Sequence, residues 1–224
     1  MGFHARLVAE TKSDQEALFS VPFIQQALAG HLDLAGYHAF LTEAYHHVRH
    51  TVPLLMATGA ALPERHRWLL DPLAHYIEEE IGHDEWILSD LAASGANAEA
   101  VRRSQPGFAC ELMVAYAYDV IRRRNPLGFF GMVHVLEGAS IRGASSAAAR
   151  VLENLDLPKE ATTYLTSHGE LDKEHVDFFR SLMDRIEDPE DQAWILHCAH
   201  RFFRLYADIF RGHPLPGPRA EESS

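Results

Sequence analysis

The stretch Val21-Pro-Phe-Ile-Gln-Gln-Ala-Leu-Ala-Gly30-His-Leu-Asp33, taken with Tyr37-His-Ala-Phe-Leu-Thr-Glu43-Ala-Tyr45, decides how this chain is built. Apolar residues recur at three- and four-residue intervals, the helical period, and not at alternate positions as in a strand. Gly30 is a helix stop, because only glycine enters the left-handed conformation cheaply. Asp33 offers a carboxylate to the open amides of the next helix. That helix is predicted to run through Tyr37, Leu41 and Val48 to about Thr58, with a kink at Pro53.

The same grammar extends in both directions. Ser13 and Glu16 read as a capping box opening the first helical region, which passes an interruption near Pro22 and ends at about Ala29. Pro63 opens a third region reaching about Ala93, with Pro72 and Gly82 as irregularities. A short helix over 98–103 follows, then one over about 108–124 and another that Pro126 starts and that runs through Phe129 to Leu152. Pro158 begins one to about Thr166, and an amphipathic run covers 168–186. Pro189 takes the first position of a final helix ending near Arg211. Alternating β-branched runs are missing, so the fold class is all-α, in about seven to eight helices. No linker or repeat divides the chain, so a single domain over 1–212 is expected, with 213–224 as a Pro-rich polar tail.

Bulk properties exclude several function classes. With 224 residues and 47% apolar content, one sizeable core is affordable, while a net charge of −12 argues against nucleic-acid binding. The longest basic run, Arg122 to Arg124, falls at a helix C-terminus, where cations suit the dipole. No window resembles a secretory signal or a membrane span. Cys110 and Cys198 are the only cysteines and sit in apolar helical stretches, which fits a reducing cytoplasm. Histidine stands out, at 15.

Several of these histidines fall at metal-ligand spacing. In His168-Gly-Glu-Leu-Asp172-Lys-Glu-His175, offsets of four and seven return to within about 40° of the start on a helix, so two imidazoles and a carboxylate share a face. Composition alone would produce this spacing about 0.06 times in such a chain, and a solvated charged face is the plain alternative. In Glu78-Glu79-Glu80-Ile-Gly-His83, Glu80 and His83 are neighbours at a three-residue offset, the Glu-x-x-His arrangement of carboxylate-bridged dimetal sites in helical bundles. Glu79 with His83 is the four-residue alternative, and an acidic surface patch is the plain one.

Glu137 closes the run Phe129-Phe-Gly-Met-Val-His-Val-Leu-Glu137. A carboxylate in so apolar a helix is costly without a partner, which a metal ion or an arginine such as Arg142 would supply. Small residues around it, Gly131 and Gly138 among them, allow close approach of a ligand or another backbone. Glu43 shares a helix face with His47 and His50, the histidines reading as supporting or surface groups. Four segments thus offer four carboxylates (Glu43, Glu80, Glu137, Asp172) and three imidazoles (His83, His168, His175). Two divalent ions would balance the four negative charges.

The opening 21–45 stretch resembles the TenA/PqqC branch of the heme-oxygenase-like proteins. The E…E-x-x-H…E…H-x3-D-x2-H order resembles the heme-oxygenase-like di-iron oxidases of that superfamily, over most of residues 15–211. The resemblance implies a heme-oxygenase-like multi-helix bundle and two Fe2+ ions held by Glu43, Glu80, His83, Glu137, His168, Asp172 and His175. It implies O2 as co-substrate and oxidation of a small carboxylate- or amine-bearing molecule, with Glu43 and Glu137 at the reacting centre and Tyr45 and Arg142 toward substrate. It further implies a homodimer. Two alternatives stand beside it. One is a metal-free TenA/PqqC-type enzyme or binder of a heterocycle; thiaminase-type members use a Cys nucleophile on the mid-chain helix, whereas Glu137 occupies that region here and Cys110 lies on the preceding helix. The other is a heme-degrading oxygenase: Val135 to Gly143 is similar to the distal helix of bacterial heme oxygenases, with His4 as the N-terminal candidate.

Overall fold

Helical structure begins earlier than the sequence predicts. In the computed structural model, which describes residues 2–215 and of those only the backbone at 139–148, 151–152 and 168–175, a helix α1 already spans Phe3–Glu10. Phe3 and Leu7, one turn apart, are buried and hold it to the core. The predicted capping box does not form. The next helix, α2 (Lys12–Phe19), is preceded by Thr11, whose hydroxyl donates backward to the Leu7 carbonyl.

The remaining helices are α3 (Pro22–Ala29), α4 (Leu34–Val48), α5 (Thr51–Ala61), α6 (Leu70–Glu80), α7 (His83–Ala93), α8 (Ala98–Arg103), α9 (Phe108–Arg123), α10 (Phe129–Leu155), α11 (Thr163–Met183) and α12 (Pro189–Arg211). Short 3-10 turns cover Glu64–Leu69, Pro126–Gly128 and Lys159–Ala161, and the described residues contain no strand. Twelve helices replace the expected seven to eight because long runs break. The second break falls at Arg49 and His50, not at Pro53, which instead sits in the first turn of α5 where its missing amide costs nothing. In the opposite sense, the two helices expected over 158–166 and 168–186 are one, α11.

Other sequence signals hold. Gly30 ends α3 at φ 75°, Asp33 accepts from the Gly36 amide at 2.7 Å, and Asp188 caps α12 ahead of Pro189. A contiguous apolar core runs from Phe3 to Phe210. At its centre α10 packs along both α11 and α12. Gly131 makes the second contact close: a Cβ there would lie 2.6 Å from the Ala199 nitrogen and 2.9 Å from the Ile195 oxygen. Asp191 ties α12 to distant segments, accepting from Arg65, His66 and Asn125. Both cysteines are free and buried, and among the described residues no helix is long and apolar enough to cross a membrane.

Candidate metal site

The site is built where α6 and α7 meet α10. The Glu-x-x-His pair does not lie on one continuous helix: α6 ends at Glu80, Gly82 adopts φ 92°, and His83 starts α7. The left-handed glycine turns the chain so that the pair still meets, His83 Nδ1 lying 3.1 Å from Glu80 Oε2. His83 is buried and stacks on Trp86 with ring centroids 4.2 Å apart. Glu79 Oε1 lies 3.3 Å from His75 Nε2, and Glu80 is the carboxylate that stands against His83.

Glu137 approaches from α10. Tyr76 on α6, buried, donates its hydroxyl to Glu137 Oε1 at 3.0 Å. Burial and then the Glu137 charge push the Tyr76 pKa far up, so the phenol keeps its proton and remains a donor. Tyr76, Glu80 and Glu137 line a cavity of about 80 Å³, together with His47, Tyr164, Tyr206 and apolar side chains that include Leu55, Phe129 and Met132.

A second cavity, about 210 Å³, lies beside the first and shares Glu137 with it. His4, Thr11, Gln15, His134 and Phe179 contribute to its wall. The Thr11 hydroxyl proton is committed to the Leu7 carbonyl at 2.8 Å, so its oxygen accepts from His134 Nε2–H at 2.9 Å. Burial, then the nearby His4, push the His134 pKa down to about 4 and keep its ring neutral.

The predicted residues divide into three groups. Glu80 and Glu137 line the same cavity, and His83 stands against Glu80 behind it. Glu43 does not join them: its Oε1 accepts from the Gly107 amide at 2.9 Å, ahead of α9, and it lines neither cavity. The reason is the rotation of α4, which puts Leu41, Ala44, Tyr45 and Val48 into the core and turns position 43 toward the start of α9. Tyr45 is buried beneath the Arg49 guanidinium, 5.3 Å from its ring centre, and also lines neither cavity. The side chains of Arg142, His168, Asp172 and His175 lie outside the described residues.

Sequence reasoning undervalued His47 and passed over Tyr76. His47 is buried on the cavity wall, and its Nδ1–H donates to the Glu43 carbonyl at 2.8 Å. The available signal for Tyr76 was its place one turn before Glu80 on the same helix.

Carboxylate and imidazole donors of this kind suit iron, and a half-buried Glu137 oriented by a phenol is the supported carboxylate that a metal site requires. Among the described residues no three Glu, Asp, His or Cys side chains converge tightly enough to hold an ion by themselves.

Fold and site together define a heme-oxygenase-like helical bundle with acidic and imidazole groups facing its interior. Residues 38–207 match the family of iron-containing redox enzymes, and the chain belongs to that family. No curated protein matches it. A domain of unknown function with a heme oxygenase-like fold from Shewanella denitrificans superposes with a TM-score of 0.82 at 24% identity, covering 94% of this chain and 90% of that one. A TenA homologue from P. horikoshii gives 0.77 at 11% identity over 94% and 97%. Heme oxygenase-1 from Synechocystis, in complex with heme, gives 0.73 at 16% identity over 94% and 91%.

Proposed function

We propose that this member of the family is a non-heme di-iron oxidase or oxygenase that uses O2 to oxidise a small carboxylate- or amine-bearing metabolite, acting as a cytoplasmic homodimer. The observation that carries this reading is the meeting of Glu137 and Glu80 on one cavity, with His83 3.1 Å from Glu80. Glu80, His83 and Glu137 would hold iron from one side, and His168, Asp172 and His175 of α11 from the other. Tyr164 supports the second half. It lines the cavity, and the helical period returns positions 168, 172 and 175 to within about 80° of it. Glu43, engaged at the start of α9, is left out of this set.

Reduced iron, when bound, supplies the electrons and open coordination positions that O2 chemistry needs. The chain's own residues supply the setting. Tyr76 orients the Glu137 carboxylate through a hydrogen bond. Leu55, Phe129 and Met132 give the cavity an apolar wall. His47, held by its Nδ1–H to the Glu43 carbonyl, presents an imidazole to the cavity wall. Anaerobic loading with Fe(II) should give about two irons per chain, falling by at least one in Glu137→Ala or His83→Ala, with iron-dependent oxygen consumption once substrate is found. A Glu137→Ala protein that keeps its full iron sinks the reading.

The heme-degrading alternative has one observation in its favour: α1 gives His4 a helical setting at the second cavity. That cavity is smaller than the roughly 300 Å³ at which pockets for drug-sized ligands begin, which counts against a porphyrin. A Soret band on adding hemin would revive it.

A further inference from the structure

α11 begins without a cap of its own. Thr162 occupies the capping position, but its hydroxyl donates to the Lys159 carbonyl at 3.3 Å and caps nothing. The first two amides of the helix go instead to a residue more than seventy positions away: Asp90 Oδ1 accepts from the Thr163 amide at 3.0 Å, and Oδ2 from the Tyr164 amide at 2.8 Å. Asp90 is fully buried on α7, two turns beyond His83. Just upstream, the buried Tyr37 of α4 donates to the Ala161 carbonyl at 2.6 Å. The entry to α11 is therefore fastened by side chains from α7 and α4.

A carboxylate bridging two helix-start amides is a strong, directional clamp: both bonds are charge-assisted, and the negative charge meets the positive end of the dipole. Two bonds to successive residues fix more than the position of the first turn. They fix the rotation of the helix about its axis, and Tyr164, one of the two residues held, is a wall of the cavity that Glu80 and Glu137 share. We propose that Asp90 is a positioning residue for the metal centre. From the helix that carries His83, it sets the rotational phase of α11 and so the face on which positions 164, 168, 172 and 175 fall. This rests on the di-iron reading above.

The test compares wild type with Asp90→Asn. The variant keeps the shape but loses the charge and turns an amide group toward a backbone N–H. Three measurements are made: anaerobic Fe(II) titration, the electronic spectrum of the Co(II)-loaded protein, and the melting temperature of the metal-free form. Wild type binds two ions. Asp90→Asn retains the helical circular dichroism of wild type, but its Fe(II) affinity falls about tenfold or more at one site or both, the scale typical of residues that orient metal ligands. Its Co(II) spectrum shifts. If Asp90→Asn does not fold, Asp90→Glu, which keeps the charge and displaces it by one methylene, is expected to fold with an altered Co(II) spectrum. Wild-type affinity and an unchanged spectrum in the folded variant overturn the proposal, however far the melting temperature drops, and leave the di-iron reading standing. A wild type that binds no iron overturns both.

Discussion

His134 shows how much one buried ring can contribute. Its pKa, pushed down to about 4 by burial and by His4, lies below the ordinary value near 6.5 that it regains on unfolding. Between those values the unfolded chain takes up a proton that the folded chain refuses. The stabilisation is therefore complete above about pH 6.5 and is lost as pH falls toward 4, a change of about 3 kcal/mol. Urea unfolding midpoints at pH 7, 6 and 5 should decline, and His134→Gln should flatten that decline. A variant as pH-sensitive as wild type would place the effect elsewhere. Legibility at this scale followed charge. Glu137 could be singled out in the sequence because an acid in an apolar run costs free energy that something must repay, and Glu80 because it stands three residues before His83. Tyr76 and His47 could not, because a neutral ring at helical spacing looks the same whether it packs in the core or lines a site. Glu43 misled for a related reason: its acid does have a partner, but that partner is the Gly107 backbone amide, which no side-chain pattern reveals.

Elements read best where a single residue dictates the backbone, and worst where a distant contact does. Gly30, Asp33 and Pro189 are local instructions and gave correct boundaries. The breaks after Glu10 and Val48, and the start of α11, are imposed by packing and by Asp90, so no local signal marks them. Gly131 combines both kinds of information. Its small size was legible as a licence for close approach, but only the fold shows that the partner is the backbone of α12. Gly131→Ala would improve helix propensity in isolation. Here its methyl group would meet a backbone nitrogen and oxygen that cannot rotate away. We expect a net loss of about 1–3 kcal/mol from overpacking, read as a lowered denaturant midpoint. A stabilised variant would mean that α10 and α12 separate easily.

At the scale of the molecule, the chain closes on itself from both ends. Phe3 and Leu7 at one end and Phe202, Phe203 and Phe210 at the other belong to the same buried cluster. Composition announced that a core of this size was affordable, and periodicity announced that helices would build it. The pairing of helices was not legible, because it depends on which apolar stripes meet across long sequence separations, and sequence periodicity is silent on partners. That pairing has a consequence at Gly131. With bare backbone touching backbone, no thin layer of mobile side chains lets water seep between α10 and α12, and their facing amides are shielded unless the two rods come fully apart. Deuterium uptake around residues 131 and 199 should therefore be among the slowest in the protein and should track its total unfolding free energy, while the start of α1 exchanges through local fraying.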